Sequence, residues 1–122
     1  MSRPVVHFEV IGADPAALRD YYAALFGWSF DVGNAAEAVS EPGNYGFVQP
    51  GAGIPGGIGG GPGFAARTLF YVGVPDVDEA LREAERLGGT RLSGPHQHPD
   101  TPLTVGFFTD PEGHLVGVAA SH

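Results

Sequence analysis

The sequence contains no cysteine and no lysine. Without cysteine there is no disulfide, no thiolate nucleophile and no cysteine-based zinc site. Without lysine, positive charge rests on six scattered arginines, Arg3, Arg19, Arg67, Arg82, Arg86 and Arg91, against 14 acidic residues, for a formal net charge of −8. Neutralising phosphates takes a basic face, so nucleic-acid binding is excluded as a function class. No apolar run approaches the roughly 18 residues that span a membrane, and Met1-Ser2-Arg3-Pro4 lacks the apolar core of a secretory signal. These absences predict a soluble, cytoplasmic protein with neither nucleic-acid nor membrane partners. No Ser-His-Asp order, nucleophile elbow or paired-carboxylate motif stands out.

What is present suits one compact unit. The 122 residues are enough for one domain and too few for two independent ones. Twenty glycines and eleven prolines make a turn-rich chain, while ample Val, Leu, Ile and Phe argue against disorder. An acidic composition rich in Ala, Gly and Arg is also one associated with GC-rich bacteria.

The chain is organised around Val5-Val6-His7-Phe8-Glu9-Val10. Val6, Phe8 and Val10 alternate with His7, Glu9 and Ile11, which predicts a strand with one face for a packed helix and one carrying two ionisable groups. Asp14-Pro15 then has the chemistry of a helix start, Asp capping free N–H groups and Pro occupying the first turn. Leu18, Tyr21 or Tyr22, Leu25 and Phe26 form the expected buried stripe, and Gly27 the stop. Further strands are expected over Trp28–Val32, over Tyr45–Gln49 and near Gly57–Gly59. Gly51-Ala52-Gly53-Ile54-Pro55-Gly56 matches the dinucleotide-binding G-x-G-x-x-G formally, but no helix periodicity follows it, as that motif requires. A Gly-rich strand approached closely by another backbone is the better reading.

The pattern then restarts. Thr68–Val74 has strand character, Asp76 with Glu79 resembles a capping box, and Val77, Ala80, Leu81, Ala84 and Leu87 make a helical stripe that Gly88-Gly89 ends. Strands are expected around Thr90–Leu92, Thr104–Thr109 and Leu115–Ala119, the last two joined by a tight turn at Asp110-Pro111-Glu112-Gly113. An offset of about 62 residues sets Phe8 on Phe70, Val10 on Val72 and Asp14 on Asp76. The chain is therefore expected to be α+β. Two tandem βαβββ modules, about 4–62 and 66–120, would pair into an open, eight-stranded, barrel-like sheet around a cavity, all in one domain over 1–122.

With His7-Phe8-Glu9-Val10, Asp14-Pro15, Tyr22 and Leu25-Phe26-Gly27-Trp28 in the first half, the layout resembles the glyoxalase/bleomycin-resistance/extradiol-dioxygenase (vicinal oxygen chelate) superfamily. The second half contributes Asp76-Val77-Asp78-Glu79-Ala80-Leu81, Leu87-Gly88-Gly89 and Asp110-Pro111-Glu112-Gly113-His114. The resemblance spans about Val5 to Ala120. It implies the fold, but the superfamily includes isomerases, lyases, dioxygenases and metal-free drug-binding proteins, so it implies no single reaction.

In its metal-dependent members, ligands come from the first, fourth, fifth and eighth strands. Carried onto this chain, those positions fall on His7, within Gly57–Gly61, on Leu69 and on Gly117. Only His7 keeps a donor, whereas catalytic metal sites typically supply about three protein ligands. The expectation is therefore no metal and no cofactor.

If the His7/Glu9 face lines the cavity, as the resemblance implies, those two residues are the candidates for acid–base chemistry or for anchoring a ligand. A plain hydrogen-bonded pair kept for packing is the bland alternative. Strand alternation puts Leu69, Tyr71 and Gly73 on the equivalent face, so Tyr71 and Leu69 join the ligand-contacting set, with Phe47 from the remaining aromatics. Gly117, lacking a side chain, would open space there. His96 and His98, an i, i+2 pair that could share a strand face and take a metal with Asp100, are hemmed in by Pro95, Pro99 and Pro102 and expected on an irregular surface loop instead, and His114 in a turn.

The leading expectation is a metal-free member of the superfamily that binds a small, partly apolar organic molecule, for sequestration or for metal-independent chemistry. The rivals are a metal-dependent glyoxalase-type lyase or isomerase, and a non-catalytic interaction module with a collapsed cavity. Homodimers are common in the superfamily and one is expected here.

Overall fold

A computed structural model describes residues 2–121. The order of elements is β1 (Val5–Gly12), α1 (Pro15–Phe26), β2 (Asp31–Gly33), β3 (Tyr45–Val48), β4 (Gly56–Gly60), β5 (Arg67–Gly73), α2 (Val77–Arg86), β6 (Thr90–Gln97), β7 (Leu103–Thr109) and β8 (Leu115–Ser121). This is βαβββ twice. The eight strands form one open sheet in the order β2-β3-β4-β1-β5-β8-β7-β6.

The modules meet inside the single chain, through antiparallel pairing of their first strands. The register sets Phe8 opposite Phe70, His7 opposite Tyr71 and Glu9 opposite Leu69. Each first strand also runs parallel to the last strand of its own module, β1 with β4 and β5 with β8. Because side chains alternate across a strand, the Phe8–Phe70 pair points to the helix side, and His7, Glu9, Leu69 and Tyr71 share the other face.

The local signals at the helix ends operate as expected. The Asp14 carboxylate accepts from the Ala17 N–H at 3.2 Å, and that of Asp76 from the Glu79 N–H at 3.0 Å, each satisfying a donor that a helix start leaves free. Gly27 ends α1 in the left-handed region at φ 71°, a conformation that costs glycine little. The Asp110–Gly113 turn closes with Gly113 N–H donating to Asp110 O at 2.9 Å.

Apolar packing occurs on both sides of the sheet. Under α2, Val77 and Leu81 pack on Val118 and Ala120. On the concave side Ile11, Ala36, Val39, Tyr45, Leu69, Tyr71, Val105 and Phe107 form the larger core.

Three expectations are corrected. The strand expected over Trp28–Val32 is only Asp31–Gly33, because Trp28 turns back onto the helix side against Phe8 and Phe26, at ring-centroid distances of 5.4 and 5.2 Å. The stripe on α1 is buried only in part: Leu18 and Tyr22 are half-buried, Tyr22 stacking on Trp28 at a ring-centroid distance of 5.8 Å, whereas Tyr21, Leu25 and Phe26 are 61, 56 and 57% exposed. Arg19 adds a polar tie, donating to the Asn44 carbonyl and side-chain oxygens at 3.1 Å each. Finally, β6 continues to Gln97, so His96 is on a strand and not on a surface loop.

Candidate functional site

Four side chains from three strands meet at one end of the concave face. Glu9 on β1 is 2% exposed. Its Oε1 accepts from the Tyr71 hydroxyl at 2.7 Å and its Oε2 from the Tyr45 hydroxyl at 2.8 Å. The Tyr45 oxygen is also 2.7 Å from Nε2 of His7. A continuous hydrogen-bonded chain therefore runs His7–Tyr45–Glu9–Tyr71, and it contains every ionisable group of the cluster except Arg67.

Glycines make this chain possible. β3 and β4 pair so that Phe47 lies opposite Gly57, and Tyr45, on the same face as Phe47, lays its ring across β4. A Cβ on Gly57 would collide with the hydroxyl end of that ring. In module two, a Cβ on Gly117 would come within 2.5 Å of the Tyr71 ring. Both tyrosines thus occupy volume that the last strand of each module leaves vacant, and this directs their hydroxyls onto Glu9.

Burial sets the electrostatics. Desolvation raises the Glu9 carboxyl to about 7, although the Tyr71 and Tyr45 hydrogen bonds and the Arg67 charge pull the other way. His7 is lowered to about 4 by burial, so its imidazole is neutral at physiological pH. Tyr45 and Tyr71 are raised by burial and by the Glu9 charge beside them, and both remain donors. Arg67 lies over the Phe107 ring, 4.8 Å from its centroid, and its buried Nε and one Nη make no hydrogen bond among the described residues. Its charge is expressed as a field on the cluster instead of as an ion pair.

Beside this polar end lies a cavity of about 480 Å³, a volume suited to a small organic molecule. Its walls are mostly apolar, with Val32, Ala36, Val39, Leu103 and Val105 among them, and Phe47 flanks His7 with ring centroids 6.3 Å apart. At the cavity wall, Asn34 of module one is tied to module two. Its Nδ2 donates to Asp100 at 2.9 Å, and its carbonyl accepts from Nε2 of His98 at 3.0 Å.

The sequence from residue 7 to residue 119 matches the family model described as a glyoxalase-like domain. The chain belongs to that family. No curated protein matches it in sequence. Among solved structures, a hypothetical protein from Bacillus halodurans C-125 is similar with a TM-score of 0.72 at 10% identity, over 100% of this chain and 96% of the other. Methylmalonyl-CoA epimerase of Streptomyces coelicolor, in a variant complexed with 2-nitronate-propionyl-CoA, gives 0.68 at 14% identity over 97% and 94%. The Mycobacterium tuberculosis methylmalonyl-CoA epimerase gives 0.62 at 13% over 97% and 87%. At these identities the likeness concerns the fold.

Within the glyoxalase-like fold, the residues singled out in the sequence divide in two. His7, Glu9, Tyr71 and Phe47 line the cavity. Leu69 is packed into the core behind it, and Gly117 opens no space, since the Tyr71 ring fills the room it leaves. Tyr45, His96 and His98 line the cavity without having been assigned to it. The signal for Tyr45 was present in its alternation with Phe47 opposite a glycine strand. That for His96 was its i, i+2 spacing with His98, masked by the flanking prolines.

The donors needed for the superfamily's metal are not there. Leu69 offers none, and Gly57 and Gly117 are covered by tyrosine rings. Among the described residues no three His, Cys, Asp or Glu side chains are grouped to hold an ion. The residues present do not fit a chelated metal.

Proposed function

We propose that this glyoxalase-like chain binds a small, partly apolar organic molecule in the concave cavity without a metal, for sequestration or metal-independent chemistry. The observation that carries this reading is a mostly apolar cavity of about 480 Å³ ending in the His7–Tyr45–Glu9–Tyr71 hydrogen-bonded chain. Apolar walls supply affinity through area removed from water, and the polar end fixes orientation. A collapsed interaction module would have Tyr71 and Leu69 filling this space; an open cavity walled in part by Tyr71 argues for the binding reading. The epimerases of similar fold also act on small molecules, as their names state. With this reading go a cytoplasmic setting, inferred from a chain without cysteine, and a homodimer, inferred from the family likeness and the exposed face of α1.

The test is thermal unfolding in EDTA-containing buffer against a panel of neutral, partly apolar carbonyl and aromatic compounds. At least one class raises Tm, since a ligand of the folded state stabilises it by mass action. Ala35→Trp, which fills the cavity, abolishes the shift, and His7→Ala lowers the affinity behind it by about tenfold, the worth of one hydrogen bond. No shift with any compound, or a shift surviving Ala35→Trp, would contradict the proposal.

A further inference from the structure

We propose that Tyr45 joins His7 and Glu9 into a single proton relay, through which the buried Glu9 gains and loses its proton by way of the cavity-facing imidazole. This goes beyond ligand binding and does not depend on it, because the relay belongs to the free protein.

Glu9 is 2% exposed and both its oxygens are engaged, so no proton reaches it directly from solvent. Two hydroxyls touch it. Tyr71 leads nowhere, because among the described residues it has no hydrogen bond beyond Glu9. Tyr45 continues to Nε2 of His7, and His7 is only partly buried and lines the cavity. One route remains.

That route supports two complete hydrogen-bonding arrangements. With Glu9 as carboxylate, Tyr45 donates to Oε2 and accepts from the Nε2–H of His7, leaving Nδ1 free to accept. With Glu9 as carboxylic acid, Oε2–H donates to the Tyr45 oxygen, Tyr45 donates to Nε2, and His7 carries its proton on Nδ1. The arrangements interconvert when a proton arrives at Nδ1, the Nε2 proton passes to Tyr45, and the Tyr45 proton passes to Glu9. No bond between heavy atoms breaks, His7 and Tyr45 each gain one proton and lose one, and the net change is one proton taken up by Glu9.

The heavy-atom separations, 2.7 and 2.8 Å, suit both arrangements. The ionisable groups facing Glu9 are His7 on its own strand, Tyr45 from β3, and Tyr71 and Arg67 from β5. Arg67 is the single formal cation among them and favours the carboxylate without donating a proton. A compound in the cavity that can pass a proton to Nδ1 is a neutral weak acid. Its negative charge would then replace that of Glu9, so the site as a whole keeps its charge.

The test is NMR of the full chain labelled with ¹⁵N-histidine and ¹³C-glutamate, between pH 5 and 9. The expected result is that His7 switches from the Nδ1–H tautomer at low pH to Nε2–H at high pH, with the same midpoint as the Glu9 carboxyl carbon. In Tyr45→Phe the His7 tautomer no longer follows Glu9, whose protonation loses its route through the imidazole. In Tyr71→Phe the coupling persists and the shared midpoint moves up, since one hydrogen bond favouring the carboxylate is lost. A single His7 tautomer throughout the Glu9 titration of the unmodified chain, which needs no variant to fold, would overturn the proposal. So would coupling that survives Tyr45→Phe.

Discussion

Glu9 and His7 are shifted in opposite directions by the same burial, and their effects on stability oppose each other. Between about pH 4.5 and 6.5 the folded chain keeps a proton on Glu9 that the unfolded chain has released, so stability falls as pH rises. Over about pH 4 to 6.5 the unfolded chain holds a proton on His7 that the folded chain lacks, so stability rises with pH. The two contributions nearly cancel where they overlap. Removing either residue exposes the other: urea unfolding from pH 5 to 6.5 should show Glu9→Gln gaining, and His7→Phe losing, about 1.4 kcal/mol per pH unit relative to the parent. Variants that both track the parent profile would show that neither group is buried as described. The pairing of His7 with Glu9 on one face was legible from alternation alone. Their contact through Tyr45 was not, because Tyr45 comes 36 residues after Glu9, on a strand two positions away in the sheet.

At the scale of elements, the last strand of each module determines what kind of site this is. β4 is Gly56-Gly57-Ile58-Gly59-Gly60, and β8 has Gly117 at the position beside Tyr71. Their missing side chains admit the rings of Tyr45 and Tyr71, which converts a place for chelating groups into one for a hydrogen-bonded carboxyl. Gly57→Ala and Gly117→Ala should each cost about 1–3 kcal/mol through overpacking. Gly33→Ala, whose Cβ meets nothing within 4 Å, should stay within about 0.5 kcal/mol. Denaturant midpoints check this, and equal effects at all three positions would refute the close approach. The elements themselves were legible because caps, stops and alternation are local. Trp28–Val32 and β6 were misjudged for a shared reason: Trp28 answers to packing against Phe8, and β6 to pairing with β7 despite its proline.

Over the whole molecule, the repeat with an offset of about 62 residues becomes a near-symmetric sheet whose centre is the Phe8–Phe70 pair. That much could be read in the sequence, since strand–helix–strand order and module length admit few topologies. The same symmetry leaves a difference. α2 buries Val77 and Leu81, while α1 buries only Pro15 fully and presents Tyr21, Leu25 and Phe26 to solvent. Exposed apolar residues of this kind suit the homodimer proposed above. Sedimentation should give a dimer that Phe26→Glu converts to a folded monomer; a monomeric parent chain would contradict this. The central claim is that a hydrogen-bonded carboxyl has replaced the chelating site, and metal content tests it most directly. Chain purified without a tag or chelator, then dialysed separately against Zn, Ni, Mn and Fe(II), should retain less than about a tenth of an equivalent of each by elemental mass spectrometry. Retention near one equivalent, lost on His7→Ala, would contradict the account.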